Sequence, residues 1–168
     1  MHLAYVISVF LHILAAVVWM GGMATLILVI VPWLRRGERA KATAMLRDTA
    51  RRLRDIGWIC FAVFLITGSF NLWVRGVRLS SFARTEFLTS PFGQLVCYKL
   101  GLFLLIVGLS ALHDFWIGPN ALQQMERQPQ SVEAERLRRR AGHMGRLNAL
   151  LALLIVLVAV MLVRGRPW

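Results

Sequence analysis

The sequence predicts an all-α integral membrane protein, a four-helix bundle with both termini extracytoplasmic. Three observations predict it. The 168 residues are 58% hydrophobic and still carry a net charge of +12, at a mean hydropathy of +0.62. A water-soluble domain of this length cannot bury so much apolar surface, whereas hydrocarbon is itself a solvent for those side chains. The apolar residues gather in four runs, residues 3–34, 56–74, 95–117 and 147–163, which suit helices crossing a hydrocarbon core of about 30 Å. The Lys and Arg residues, finally, crowd into alternate connections.

In the first run, no Lys or Arg precedes the apolar stretch, and the stretch outlasts a signal-peptide core, so it is expected to be retained as a helix. The connection 35–55 holds Arg35, Arg36, Arg39, Lys41, Arg47, Arg51, Arg52 and Arg54. The second connection has only Arg75, Arg78 and Arg84, and its Ser80, Ser81, Thr89, Ser90, Pro91 and Gly93 mark an outer loop. The connection 118–146 holds Arg127, Arg136, Arg138, Arg139, Arg140 and Arg146, and the tail adds Arg164 and Arg166. Short loops rich in Lys and Arg stay in the cytoplasm, which makes the chain a multi-pass protein of a bacterial-type inner membrane, N-out and C-out. The same topology accounts for the basic charge, so the expected partner is the lipid bilayer and not nucleic acid.

Both basic connections are expected to be helical extensions lying against anionic headgroups. Met45, Leu53 and Ile56 recur at near-helical spacing, and Ser131 stands where a cap belongs, just before Glu133 and Glu135. Trp33, Trp58, Trp73, Trp116 and Trp168 fall at helix ends, where an amphipathic ring meets the headgroups; Trp19 alone is mid-span. No repeat divides the chain, which reads as a single domain, residues 1–168. Cys60 and Cys97 differ in depth and are not expected to pair, and no CxxC occurs.

Ionisable groups inside the spans are the candidate site, because each is costly in lipid unless it is paired. The second and fourth spans contain none. On the first, His12, Trp19 and Met23 lie seven and four residues apart and form one stripe, with Gly21 and Gly22 beside it; on the third, Lys99, Phe103, Ile106, Ser110 and His113 do the same. His12 and Lys99 fall at one level towards the outer leaflet, and His113 and His143 at one level towards the inner.

The stretch LHILAAVVWMGGMATLILVIVPWLRR resembles the first helix of the copper-resistance protein D (CopD) family. It is also similar to that of HemJ-type protoporphyrinogen oxidases in its His, its Trp seven later and its Gly. TGSFNLWVRGV, TSPFGQLVCYKLGLFLLIVGLSALHDFWIGP and GRLNALLALLIVLVAVMLVRG read like the CopD pattern, in order. The HemJ resemblance implies haem b in a four-helix bundle with His12 and Lys99 as functional positions, Lys99 the catalytic one. The CopD resemblance implies copper movement or tolerance at the inner membrane.

The residues fit a haem on chemical grounds: His113 with His143 as two imidazole ligands, or His12 with Met23 at the outer level. Copper(I) prefers softer donors, such as Met20, Met23 and Met161 beside His. The expectation is therefore a membrane haem redox protein acting on a membrane-soluble substrate, with a membrane or extracytoplasmic redox partner. The alternatives are a copper transport or tolerance protein and a non-catalytic membrane subunit. No setting for a hydrolytic nucleophile is present.

Overall fold

The computed structural model describes residues 1–34, 39–128 and 131–165. Arg35, Arg36, Arg166 and Trp168, and the side chains of Trp33, Arg39 and Lys41, lie outside the described residues. The described chain is helical, and four of its helices are long and apolar enough to cross a membrane. In order these are α1 (His2–Thr25) running on into α2 (Val31–Leu34), α3 (Arg39–Val74), α5 (Pro91–Leu112) continued by α6 (Gly118–Arg127), and α7 (Val132–Arg164); a short α4 (Thr85–Thr89) lies in the connection between α3 and α5.

The basic connections are helical where described. α3 begins at Arg39 and α7 at Val132, well outside their apolar stretches. Ser131 caps α7 by accepting from the Ala134 N–H at 3.1 Å, and Glu133 and Glu135 occupy its first turn, where the helix dipole favours negative charge. α5 starts the same way: the Ser90 hydroxyl oxygen accepts from the Gly93 N–H at 3.0 Å and Pro91 is the first helical residue. Gly93 is obligatory there, since a Cβ would stand 1.8 Å from the Phe87 carbonyl oxygen.

Pro119 does not end the third span. A proline inside a helix lacks its N–H and its ring collides with the carbonyl four residues back, unless the preceding turn widens. Such widening occurs at two prolines: a π-helical turn at Leu26–Ile30 precedes Pro32, and another at His113–Ile117 precedes Pro119. In the second, the Gly118 N–H donates to the His113 carbonyl, and a Cβ on Gly118 would lie 2.9 Å from that oxygen. The helix therefore runs on past Pro119 into the basic connection as α6, which packs against α7 and α3. Glu126 of α6 forms an ion pair with Arg47 of α3, and Ala121 and Ala134 are buried in the α6–α7 hairpin.

The bundle consists of two antiparallel pairs, α1 with α3 and α5 with α7. Along the first, Tyr5 meets Arg75, Ser8 and His12 meet Thr67, Trp19 meets Gly57, and Gly22 faces Leu53. Small residues let the helices close up where large ones interlock: a Cβ on Gly22 would come within 2.9 Å of the Leu53 side chain. Along the second, the Asn148 amide donates to the Ser110 hydroxyl at 2.8 Å beside the buried Ile106 and Ala152. The outward faces are apolar throughout, with Leu3, Phe10 and Val17 of α1 and Leu150, Leu153 and Leu157 of α7 exposed. That surface has lipid as its solvent.

Candidate functional site

The interior is layered from the end of the bundle at Tyr5 and Arg75, termed outer, to the end at the basic connections, termed inner: a polar layer around His12, an aromatic layer, and a second polar layer around His113.

At the outer level α1 presents Ser8 and His12, one turn apart, to Thr67 of α3. The His12 Nδ1 lies 2.7 Å from the Thr67 hydroxyl oxygen, the Ser8 hydroxyl donates to the Thr67 carbonyl at 3.4 Å, and the Thr67 hydroxyl donates to the Val63 carbonyl at 2.5 Å. Thr67 and Ser8 are buried and His12 is half-buried. Gly68 brings the α3 backbone up to the imidazole edge, and the Phe64 ring stands edge-on to it with centroids 5.1 Å apart. Lys99 of α5 is in electrostatic range of His12, and Arg75 in range of Lys99. Arg75 also donates to the Tyr5 hydroxyl at 3.3 Å, and the Asn71 side-chain oxygen, one turn beyond Thr67, is buried without a hydrogen-bond partner.

The middle layer is made of rings. Trp19 lies 5.2 Å from Phe61 and 6.2 Å from Phe64 between centroids, and Phe103 of α5 contacts the same two phenylalanines edge-on at 6.1 and 6.3 Å. Phe103 is thus the side chain by which α5 closes on the α1–α3 pair. Met23 is half-buried one turn beyond Trp19.

At the inner level the π-helical turn carries His113 and Asp114. The His113 Nδ1 is 3.0 Å from one carboxylate oxygen of Asp114, and the other oxygen accepts from the Trp58 indole N–H of α3 at 3.2 Å. Trp58, expected at a helix end, thus has its indole N–H on a carboxylate. Phe115 packs tilted against Trp58 with centroids 5.5 Å apart, and the Arg54 guanidinium lies 6.0 Å from the Phe115 centroid. His143 is exposed, and its Nδ1 bonds the Arg139 carbonyl of its own helix at 2.7 Å. No hydrogen bond, ion pair or ring contact joins His113 to His143 among the described residues, and no three His, Cys, Asp or Glu side chains among them converge on one point.

Haem b, which the sequence suggested, finds no support in this arrangement. Phe61, Phe64, Phe103 and Trp19 pack against one another beside His12. At the inner level no hydrogen bond, ion pair or ring contact brings His143 to His113 among the described residues.

The second span, which holds no ionisable group, supplies Thr67 as the partner of His12 and Trp58 as the donor to Asp114, the partner of His113. Thr67 and Trp58 escape a search for ionisable residues, although Thr67 and Asn71, a turn apart in an apolar run, mark a polar face on α3.

Fold and site together define a multi-pass membrane protein whose interior carries histidine, lysine and aromatic side chains between two helix pairs. The family model for copper resistance protein D, CopD, matches residues 47–162, and the chain belongs to that family. The match begins within α3, so the α1 histidine lies outside it. An uncharacterized protein of Aquifex aeolicus (strain VF5) is 29% identical over 152 residues, 90% of each chain. No solved structure matches.

Proposed function

We propose that the protein handles copper at the membrane, as a transport or tolerance protein, with both termini extracytoplasmic and a copper ion as passing cargo. The observation that carries this reading is the CopD match, which covers three of the four spans. What supports a route through the bundle is the order of the layers: an imidazole at the outer level, a ring cluster, then an imidazole backed by a carboxylate at the inner level. Imidazole is a good copper donor. One imidazole holds an ion exchangeably, as passage requires. His12 is the first group an ion entering from outside meets, Lys99 is the neighbouring basic group of that level, and His113 is the donor on the cytoplasmic side.

The test is the purified protein in detergent, supplied with copper and with haem, followed by elemental analysis and an optical spectrum. Copper binding that falls in His12→Ala, without a Soret band, is the expected result. A Soret band with sharp reduced α and β bands, and no copper, overturns the reading in favour of haem redox chemistry. A host made copper-sensitive should likewise gain or lose tolerance with the wild-type chain and not with His12→Ala.

A further inference from the structure

The hydrogen bonds around Thr67 point to which nitrogen of His12 carries the proton. A hydroxyl has one hydrogen and a neutral imidazole one N–H. The Thr67 hydrogen is committed to the Val63 carbonyl, four residues back, at 2.5 Å. This back-bond satisfies a buried hydroxyl within its own helix and fixes the threonine rotamer. Towards His12 the Thr67 oxygen can then only accept. The Nδ1 atom, 2.7 Å away, must be the N–H donor, and the lone pair of the ring stands at Nε2.

We propose that Thr67 is a positioning residue: it holds His12 in the Nδ1–H form and so makes Nε2 the one nitrogen offered to a metal ion between the helices. Ser8, one turn from His12 on the same helix, adds a second tie to Thr67. Its hydroxyl donates to the Thr67 carbonyl, so α1 is tied to one residue of α3 at two positions a turn apart. Gly68 completes the fit, because a Cβ there would already touch the His12 ring at 3.5 Å. Metal-binding histidines are habitually oriented in this manner, with the second nitrogen donating to an oxygen that fixes the ring and raises its basicity. Here that oxygen is a hydroxyl whose own hydrogen is spoken for. The ligand class is a soft or borderline metal ion; the metal half of the proposal rests on the copper reading, and the tautomer half does not.

The experiment is nitrogen NMR of the full-length protein labelled at histidine and reconstituted in lipid nanodiscs at alkaline pH. The His12 signals are assigned by their loss in His12→Gln, and copper binding is measured on the same samples. The expected result is a protonated Nδ1 and an unprotonated Nε2 in the wild type, and a mixed tautomer in Thr67→Val. Copper affinity should fall about 10–100-fold in Thr67→Val, and Thr67→Ser should restore both readouts. A protonated Nε2 in the wild type overturns the proposal without recourse to any variant. Weaker copper binding in Thr67→Val with the tautomer unchanged also overturns it, since the loss is then one of packing. A tautomer that responds to Thr67→Val in a protein that never binds copper ends the copper reading and leaves the role of Thr67 standing.

Discussion

His12 and His113 stand at opposite ends of one interior, and both have Nδ1 engaged, but the partners have different origins. The partner of His12 is Thr67, on another helix and 55 residues away in sequence; that of His113 is the adjacent Asp114. At the outer level the ring is oriented only if α1 packs on α3 in register. At the inner level the pair is built into one helical turn, and the tertiary structure acts a step further out, through the Trp58 indole on the carboxylate. The difference teaches that a histidine can owe its orientation to the fold or to its own neighbour, and that the two should fail in different ways.

The largest effect expected is at the outer level. His12→Ala should abolish the outer copper interaction, while His113→Ala should leave it intact, as read by copper stoichiometry of the purified variants; equal losses in both would collapse the distinction between the two levels. Next comes Gly118→Ala. The added methyl meets the His113 carbonyl at 2.9 Å, so the π-helical turn must shift, at a cost of about 2–3 kcal/mol for overpacking. Denaturant unfolding in detergent measures that cost. Histidine NMR should show the His113 signals moving and the His12 signals unmoved.

Trp58→Phe keeps most of the ring packing and removes one hydrogen bond to Asp114, worth about 1 kcal/mol in a partly exposed setting. It should move the His113 resonances alone, and movement at His12 would show that the aromatic layer couples the two levels. The smallest effect lies outside the membrane. Hydrogen bonds from Arg138, and then from Arg139, hold the Glu135 carboxyl down to about 2 from an ordinary 4.5. A depressed carboxyl contributes stability above its ordinary pKa and loses it as pH falls through the folded value. The helicity difference between wild type and Glu135→Gln, read by circular dichroism, should therefore be constant from neutral pH to about 4.5 and vanish by about 2. Because the group is fully exposed, the difference should also shrink with added salt. Neither interior histidine should respond to the change.

Much of the frame was legible in the sequence. Four apolar runs specify four spans, because hydrocarbon demands length and apolarity and little else. Ser131 with Glu133 and Glu135 identified the start of α7, since capping is local. The stripe of His12 and Trp19 on α1 likewise follows from the helical repeat. The π-helical turn before Pro119 was not legible, because the remedy for an internal proline is a wider turn that composition does not advertise. His113 and His143 share a level by residue counting, yet level says nothing of rotation about the helix axis, and His143 faces outward to its own backbone.

The sequence by itself determined the solvent of this protein, the number of its spans and the set of costly groups placed within them, because these depend on the composition of contiguous segments. Only the tertiary structure decided what those groups meet. Thr67 reaches His12, Trp58 reaches Asp114, and Phe103 closes the space between the helix pairs. Each of these contacts depends on the register and rotation of one helix against another, and side-chain packing across the bundle fixes both.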